Sequence, residues 1–118
     1  MIFQTRSERE VPTEIDRFVA RLPYSCSEPE FVHSRQSAVR EWVTEVAGAY
    51  ENGWDLVRSA ARAKLGDDDA SMVERALTCL FVTGTSADVA AVELLAAHPD
   101  EAVQKAARTC LFEIRRRQ

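Results

Sequence analysis

The sequence has few of the residues that build disulfide frameworks and zinc sites. Its three cysteines, Cys26, Cys79 and Cys110, are an odd number without a CxxC spacing, which argues against a disulfide framework and against a zinc site. Cys79 and Cys110 hold the same position in two similar segments, and we expect neighbouring helices to keep them too far apart for a disulfide. We interpret all three as small buried apolar residues.

Long apolar runs are missing as well. No stretch approaches the roughly 20 apolar residues that a membrane-spanning helix needs. The first ten residues, Met1–Glu10, lack the apolar core of a signal peptide. These absences predict a cytoplasmic protein, or a mature fragment of a longer one, that does not contact a membrane.

Residues for catalysis, cofactor binding and metal binding are equally scarce. The four glycines are isolated, so the chain has no glycine-rich phosphate loop. His33 and His98 are the only histidines, and the sequence shows no third group that would orient a Cys–His nucleophile pair. Asp67, Asp68 and Asp69 lack the ligand spacing of a calcium loop and suit helix capping better. We therefore predict no enzymatic activity, no cofactor and no metal site.

Basic residues are too few and too scattered for a nucleic-acid-binding stripe. The formal net charge is −4, and only two of the 15 basic residues are lysines. The one dense basic run, Arg115–Arg117, falls at a predicted helix C-terminus, where cations interact favourably with the helix dipole. We expect this run to be a solvated helix end, and we predict a protein that does not bind nucleic acid.

What the sequence does contain is an internal repeat. The segment from Asp69 to Phe81 recurs 31 residues later as the segment from Asp100 to Phe112, and both copies end in Thr-Cys-Leu-Phe. A repeat of this period indicates stacked helical units. With 118 residues, 46 % of them hydrophobic, the chain is long enough for one domain with a buried core.

Apolar residues at helical spacing, together with capping residues, predict six or so helices joined by short turns. The first begins at Pro12–Thr13, with Thr13 as its cap, and ends before Pro23. A second follows Ser27 and ends at the C-cap pair Asn52-Gly53; whether it breaks near Ser34–Ser37 stays open. The others are predicted at about 54–65, 70–83, 87–97 and 100–117. Residues 1–11 are expected to form a flexible arm.

The last two predicted helices resemble a HEAT repeat. The first of them ends in Leu94-Leu95, the turn is His98-Pro99-Asp100, and the second contains Val103-x-x-Ala106-Ala107 followed by Leu111. The likeness is clear over about 67–117, looser over 37–66 and absent before residue 34. It implies a single all-α domain over 1–118, a short right-handed stack of antiparallel helical hairpins (an α-solenoid), with N-terminal helices over 12–53 and HEAT-like units over 54–118. HEAT-like proteins mostly bind other proteins, although some bind DNA or have lyase-type functions.

The two copies of the repeat differ on one helix flank. Val73 and Leu77 of the first copy become Gln104 and Arg108 in the second. A middle unit of a stack buries this flank against the next unit, whereas a terminal unit leaves it in water. We therefore expect the stack to end near Gln118.

A partner-binding surface is predicted on the helix side opposite the core positions. At about 100° per residue, Phe81 and Phe112 fall on this side, and Glu74 shares it. Glu41 and Glu45 share the same direction on the preceding long helix. The predicted inner face is thus acidic with two aromatic rings, which suits a protein partner with a basic surface. The alternative is that both phenylalanines pack into the groove between units.

The sequence thus predicts a small, negatively charged, non-enzymatic protein-binding module. Its simplest role is an inhibitor that occludes a basic partner, as a bacterial immunity protein or antitoxin neutralises its cognate toxin or effector. A general adaptor or scaffold is the alternative, and a nucleic-acid-backbone binder or an enzyme is less favoured. Whether the chain is a monomer or a homodimer stays open.

Overall fold

The computed structural model describes residues 10–118, with side chains from Glu14 onward. This part of the chain is all-helical, with six α-helices and no strand, so the predicted all-α class and helix number are confirmed. The helices are α1 (Glu10–Ala20), α2 (Gln36–Gly48), α3 (Gly53–Ala63), α4 (Ala70–Thr83), α5 (Val89–Leu95) and α6 (Glu101–Arg116). A π-helical turn, Phe31–Arg35, leads into α2, and a 3-10 turn, Ser86–Asp88, leads into α5.

The central element of the fold is α4. It packs against α1, α2, α3 and α6, while α5 packs on α6. Every residue from 76 to 84 is buried, whereas a surface helix leaves one face in water. The C-terminal half of α4 is therefore enclosed on all sides. The right-handed hairpin stack that the HEAT resemblance implies stays a prediction.

Local capping residues explain where the later helices begin. Asp69 accepts a hydrogen bond from the backbone N–H of Ser71 at the start of α4, and Asp100 accepts from Ala102 and Val103 at the start of α6. Each carboxylate satisfies backbone donors that a helix N-terminus leaves unpaired. The predicted helices over 70–83 and about 100–117 are confirmed by these bounds.

The lead-in to α5 carries a capping box and a buried acid. The Thr85 side chain accepts from the N–H of Ala87, and the Asp88 carboxylate accepts from the N–H of Thr85 at 2.9 Å. Asp88 is fully buried and also accepts from Arg62 at 2.9 Å and from Arg58 at 3.4 Å. These bonds tie α3 to the turn that follows α4.

The N-terminal helix begins earlier than predicted. α1 starts at Glu10, so Thr13 lies inside the helix and does not cap it. Proline is tolerated in a first helical turn because the N–H it lacks would be unpaired there, and Pro12 therefore does not mark the start. Of the predicted arm, residues 1–9 lie outside the described residues and residues 10 and 11 are helical.

The boundaries between Ser27 and Trp54 also differ from the prediction. The π-helical turn Phe31–Arg35 separates the loop from α2, which ends at Gly48. Asn52 takes the left-handed conformation, with φ of 58°, and Gly53 begins α3. A Cβ at Gly53 would lie 1.7 Å from the Ala47 carbonyl oxygen. Glycine is thus needed here for the close approach of two helices and not as a C-cap.

The predicted difference between the two repeat copies is present. Val73 and Leu77 are fully buried, while Arg108 is exposed and Gln104 is half-buried. The Gln104 amide donates to the His98 carbonyl oxygen at 2.6 Å, and the His98 ring accepts from the N–H of Asp100 at 3.0 Å. His98 therefore holds the turn before α6, as its place in the sequence suggested.

Candidate functional site

The loop before α2 covers the face of α4 that was expected to bind a partner. We call residues 24–31 the strap. The Ser25 and Ser27 hydroxyls both donate to the same Glu74 carboxylate oxygen, at 2.7 and 2.8 Å. The backbone N–H of Cys26 donates to the Thr78 hydroxyl at 2.9 Å. The strap thus binds α4 through one main-chain and two side-chain hydrogen bonds.

An aromatic contact completes the strap. The Phe31 ring lies edge-on to the Phe81 ring, with 5.1 Å between the centroids and an interplanar angle of 90°. This is one of the favoured geometries for an aromatic pair. Phe31 is fully buried and Phe81 is 3 % exposed. The Cys26 thiol also reaches the Ala106 carbonyl oxygen of α6 at 3.5 Å, so the strap lies against α6 as well as α4.

Three arginines surround Glu113 on the side of Phe81 away from Phe31. We call Glu113 with Arg40, Arg116 and Arg117 the Glu113 cluster. Arg40, Arg116 and Arg117 all reach Glu113 Oε2, at 2.8, 2.7 and 3.1 Å. The Arg40 guanidinium also lies 5.3 Å from the centre of the Phe81 ring. Hydrogen bonds from Arg116, followed by those from Arg40 and Arg117, lower the pKa of Glu113 to about 2.

The C-terminal arginines stabilise the fold through specific contacts, in addition to their favourable interaction with the helix dipole. Arg117 donates to the carbonyl oxygens of Phe81 at 2.6 Å and of Gly84 at 2.7 Å, which are orphan acceptors at the end of α4. Arg115 pairs with Glu93 of α5 at 2.7 Å. Residues 115–117 are exposed, as expected for a solvated helix end, but the Arg117 side chain is only 27 % exposed because it is bonded to the two carbonyl oxygens at the end of α4.

The expected exposure of Glu74 and Phe81 is therefore wrong. Glu74 is half-buried beneath the strap serines, and Phe81 is buried between Phe31 and Arg40. The alternative, in which phenylalanine packs inside the fold, is confirmed for Phe81. The reason is the strap, which lies outside the repeat and covers one copy of it.

Phe112, the repeat counterpart of Phe81, lies in the open. Its side chain is 72 % exposed, on the side of α6 opposite the buried positions Val103, Cys110 and Ile114. A groove of about 460 Å³ opens beside it. We call this the Phe112 groove; its lining residues are Arg108, Leu111, Phe112, Arg115 and Arg116.

The electrostatics of the Phe112 groove are basic. Arg115 and Arg116 are paired with Glu93 and Glu113, whereas Arg108 is exposed and makes no ion pair with any residue that the structure describes. The floor is apolar, formed by Phe112 and Leu111. The groove thus combines an aromatic anchor with excess positive charge, and not with the acids expected from the sequence.

The two remaining acids of the predicted surface lie on α2. Glu41 and Glu45 are both exposed, one helical turn apart, on the face away from the buried Val39 and Val43. The five predicted partner-binding residues therefore do not form one face. Two are covered by the strap, two lie on the outer side of α2, and Phe112 lies on α6.

A second groove was not anticipated from the sequence. It is about 420 Å³ in volume and is lined by Glu14, Arg17, Phe18, Arg21, Leu22, Pro23 and Trp42. The Trp42 side chain at one edge of this groove is 37 % exposed. It stacks on Tyr24 with 5.9 Å between ring centroids, and Arg35 lies over the other ring of this pair, 4.9 Å from the centre of Tyr24. Trp42 is therefore an aromatic residue that already has a partner.

The thiols are poor nucleophiles in this structure. Cys26, Cys79 and Cys110 are all buried and free. Burial raises the pKa of Cys26 to about 12 and raises the pKa values of Cys79 and Cys110 well above the ordinary value. Because only the thiolate is strongly nucleophilic, these groups are unreactive near neutral pH. Within residues 14–118, no three His, Cys, Asp or Glu side chains are grouped to hold a metal ion.

Comparisons of the chain with protein-family models, curated proteins and solved structures found no match. The likeness to HEAT repeats therefore stays a prediction from the residues of this chain. None of the described helices has the length and apolar character needed to cross a membrane.

Proposed function

We propose that this chain is a non-enzymatic protein-binding module that holds its partner at the Phe112 groove. One observation carries the proposal: Phe112 is 72 % exposed on a regular helix, while its repeat counterpart Phe81 is 3 % exposed. Phe112 adds little to the core, and exposing its apolar ring to water is unfavourable. Burying its ring against a partner would recover about 1.5–3 kcal/mol.

The residues around Phe112 are of the types that dominate protein interfaces. Aromatic residues and arginine are enriched among the side chains whose truncation weakens binding most. Arg108 and Arg115 flank the ring in the groove, and Arg108 has its charge free to meet a carboxylate. The groove therefore suits a partner segment that combines an apolar side chain with acidic neighbours.

The sequence predicted a partner with a basic surface, but fewer acidic side chains of the predicted face are exposed than the sequence suggested. Glu74 is engaged by Ser25 and Ser27, which leaves Glu41 and Glu45 as the exposed pair of that set. In our proposal these two acids face a basic region of the partner, and the Phe112 groove supplies the apolar anchor.

The inhibitor role is the narrower form of the proposal. Small size and a net charge of −4 support an immunity-type or antitoxin-type protein that neutralises one cognate effector. The general adaptor is its alternative. An inhibitor predicts one tight partner whose association slows steeply as salt is raised, whereas an adaptor predicts several weak partners.

The experiment is a pull-down from native-host lysate with three tagged proteins: the wild type, Phe112→Ala and Trp42→Ala. Trp42→Ala is the matched control because it removes an aromatic side chain from the other groove. A stoichiometric protein retained by the wild type and by the control, but lost by Phe112→Ala, supports the proposal. Retention that Phe112→Ala leaves unchanged, or no retained protein at low salt, contradicts it.

A double variant tests the acidic pair separately. Glu41→Lys with Glu45→Lys should weaken capture of the same protein and reduce its salt sensitivity, because the variant removes two attractive charges. Unchanged capture would restrict the interface to the Phe112 groove. Counting the proteins that survive rising salt then separates the inhibitor from the adaptor.

A further inference from the structure

The strap lies along one side of α4, and the repeat places a similar set of residues on α6. Glu74, Thr78 and Phe81 of α4 correspond to Lys105, Thr109 and Phe112 of α6. Both sets are spaced i, i+4 and i+7, which puts each set along one side of its helix. We call the second set the α6 stripe.

The strap contacts are those of a short, turn-containing segment that lies along a helix; its own N–H groups of Glu28 and Phe31 donate to the carbonyl oxygens of Ser25 and Glu28. Serine hydroxyls meet Glu74, a main-chain N–H meets Thr78, and six residues after Ser25 an aromatic ring meets Phe81. The strap therefore runs alongside α4 in the same direction as the helix. It occupies the side of α4 whose counterpart on α6 is open, with Lys105 and Phe112 exposed and Thr109 half-buried.

The α6 stripe carries a positive charge, Lys105, at the position where α4 carries the negative charge of Glu74. The Glu74 carboxylate accepts hydrogen bonds from hydroxyl donors, whereas the Lys105 ammonium only donates. A ligand of the α6 stripe therefore needs an acceptor where the strap has Ser25 and Ser27. A carboxylate is the strongest such acceptor. Lys105 is free to turn to it, because its pair with Glu101, at 3.5 Å, is a surface pair of two exposed groups.

We infer that the α6 stripe binds a short acidic segment of the partner, in the manner in which the strap binds α4. The segment carries Asp or Glu opposite Lys105 and an aromatic residue, four to six positions later, against Phe112. The exposed Arg108 adds to the positive field that attracts it. This inference rests on the proposed function and adds the chemistry of the partner segment.

Charge disfavours a second copy of the chain as the occupant. A two-fold contact centred on Phe112 would bring the same patch of both copies together. Arg108, Arg115 and Arg116 of one copy would then face those of the other, and like charges repel. An acidic peptide meets the same arginines favourably.

The test uses two synthetic peptides that copy residues 24–32 of the chain, both with Cys26→Ala. One keeps Ser25 and Ser27; the other carries Ser25→Asp and Ser27→Asp. Each is titrated into the isotope-labelled full-length protein while backbone amide resonances are followed. We expect the aspartate peptide to shift the resonances of 105–112 and to bind at least about tenfold more tightly than the serine peptide.

Two variants of the protein sharpen the result. Phe112→Ala should abolish the shifts, whereas Trp42→Ala should not change them. Lys105→Glu, which gives α6 the acid of α4, should reverse the preference in favour of the serine peptide. All altered side chains are at least partly exposed, and a dispersed amide spectrum checks that each variant is folded.

Three outcomes would overturn the inference. They are the absence of saturable shifts up to about 1 mM peptide, equal affinity of the two peptides, and shifts centred on 74–81 instead of 105–112. The proposed function fails independently, when Phe112→Ala still captures the lysate partner. If Phe112→Ala loses the partner and the peptides do not bind, the function stands and the peptide mode is wrong.

Discussion

Phe81 and Phe112 end the same four-residue motif in two copies of one helix, yet one is 3 % exposed and the other 72 %. The helices that carry them are both regular and both are capped by an aspartate. What differs is the chain around them. Phe81 is enclosed by Phe31 of the strap and by Arg40, and no described segment covers Phe112 in the same way.

The comparison teaches that a repeat position does not determine exposure. A helical repeat defines which side chains point in the same direction, and here that direction is the same for both rings. Whether the direction leads to water depends on a segment from another part of the chain. The strap covers this side of α4, while Lys105 and Phe112 on the corresponding side of α6 are exposed.

The largest difference should appear when each ring is removed. Phe81→Ala should destabilise the fold by about 3–5 kcal/mol, because it leaves a cavity in the core. Phe112→Ala should change stability by less than about 0.5 kcal/mol, because its side chain is mostly in water. Urea unfolding followed by circular dichroism measures both. Similar losses for the two variants would show that Phe112 is buried in solution.

Lowering the pH should destabilise the protein by protonating Glu113, whose cluster of arginines packs beside Phe81. The pKa of Glu113 is lowered from 4.5 to about 2 in the folded protein, so the folded state binds fewer protons than the unfolded one. Its stabilising contribution is complete above about pH 4.5 and is lost as the pH falls towards 2. At about 1.4 kcal/mol per pKa unit the loss is roughly 3 kcal/mol.

Glu113→Gln provides the control for that pH dependence. The glutamine variant should be less stable than the wild type at neutral pH and should lose less stability between pH 4.5 and 2. Urea midpoints at a series of pH values report the difference. Parallel curves for the two proteins would mean that other carboxylates account for the acid sensitivity.

Glu74 of α4 and Lys105 of α6 hold the same repeat position, and reversing the charge there should destabilise the fold only at Glu74. Glu74→Lys removes the acceptor of Ser25 and Ser27 and should cost about 1–3 kcal/mol. Lys105→Glu should stay within about 0.5 kcal/mol, because it breaks only an exposed pair with Glu101. Urea unfolding gives the two values. If Glu74→Lys were neutral, the hydrogen bonds from Ser25 and Ser27 would add nothing to stability, and the strap would be held by Phe31 and Cys26.

The smallest expected effect lies at the two threonines. Thr78→Val removes the acceptor of the Cys26 N–H and should cost about 1–2 kcal/mol, since that donor is buried. Thr109→Val should change stability by less than about 0.5 kcal/mol. Hydrogen exchange at the Cys26 amide is the sharper measurement: exchange no faster in Thr78→Val than in the wild type would contradict the bond.

The sequence by itself determined the local features of this protein. Periodic apolar residues, the acids that end at Asp69 and the turn His98-Pro99-Asp100 located the last three helices to within a few residues. The change from Val73 and Leu77 to polar residues in the second copy marked a difference in burial. These features depend on residues within one or two helical turns, which a linear pattern displays directly.

Only the tertiary structure decided which copy of the repeat is covered. The strap reaches Glu74 from 49 residues away, and its Cys26 thiol reaches Ala106 across 80 residues. Likewise, the contact between Gly53 and the backbone of Ala47 decided how α2 meets α3. No period or cap encodes such contacts, because they arise when distant segments compete to bury the same surface around α4.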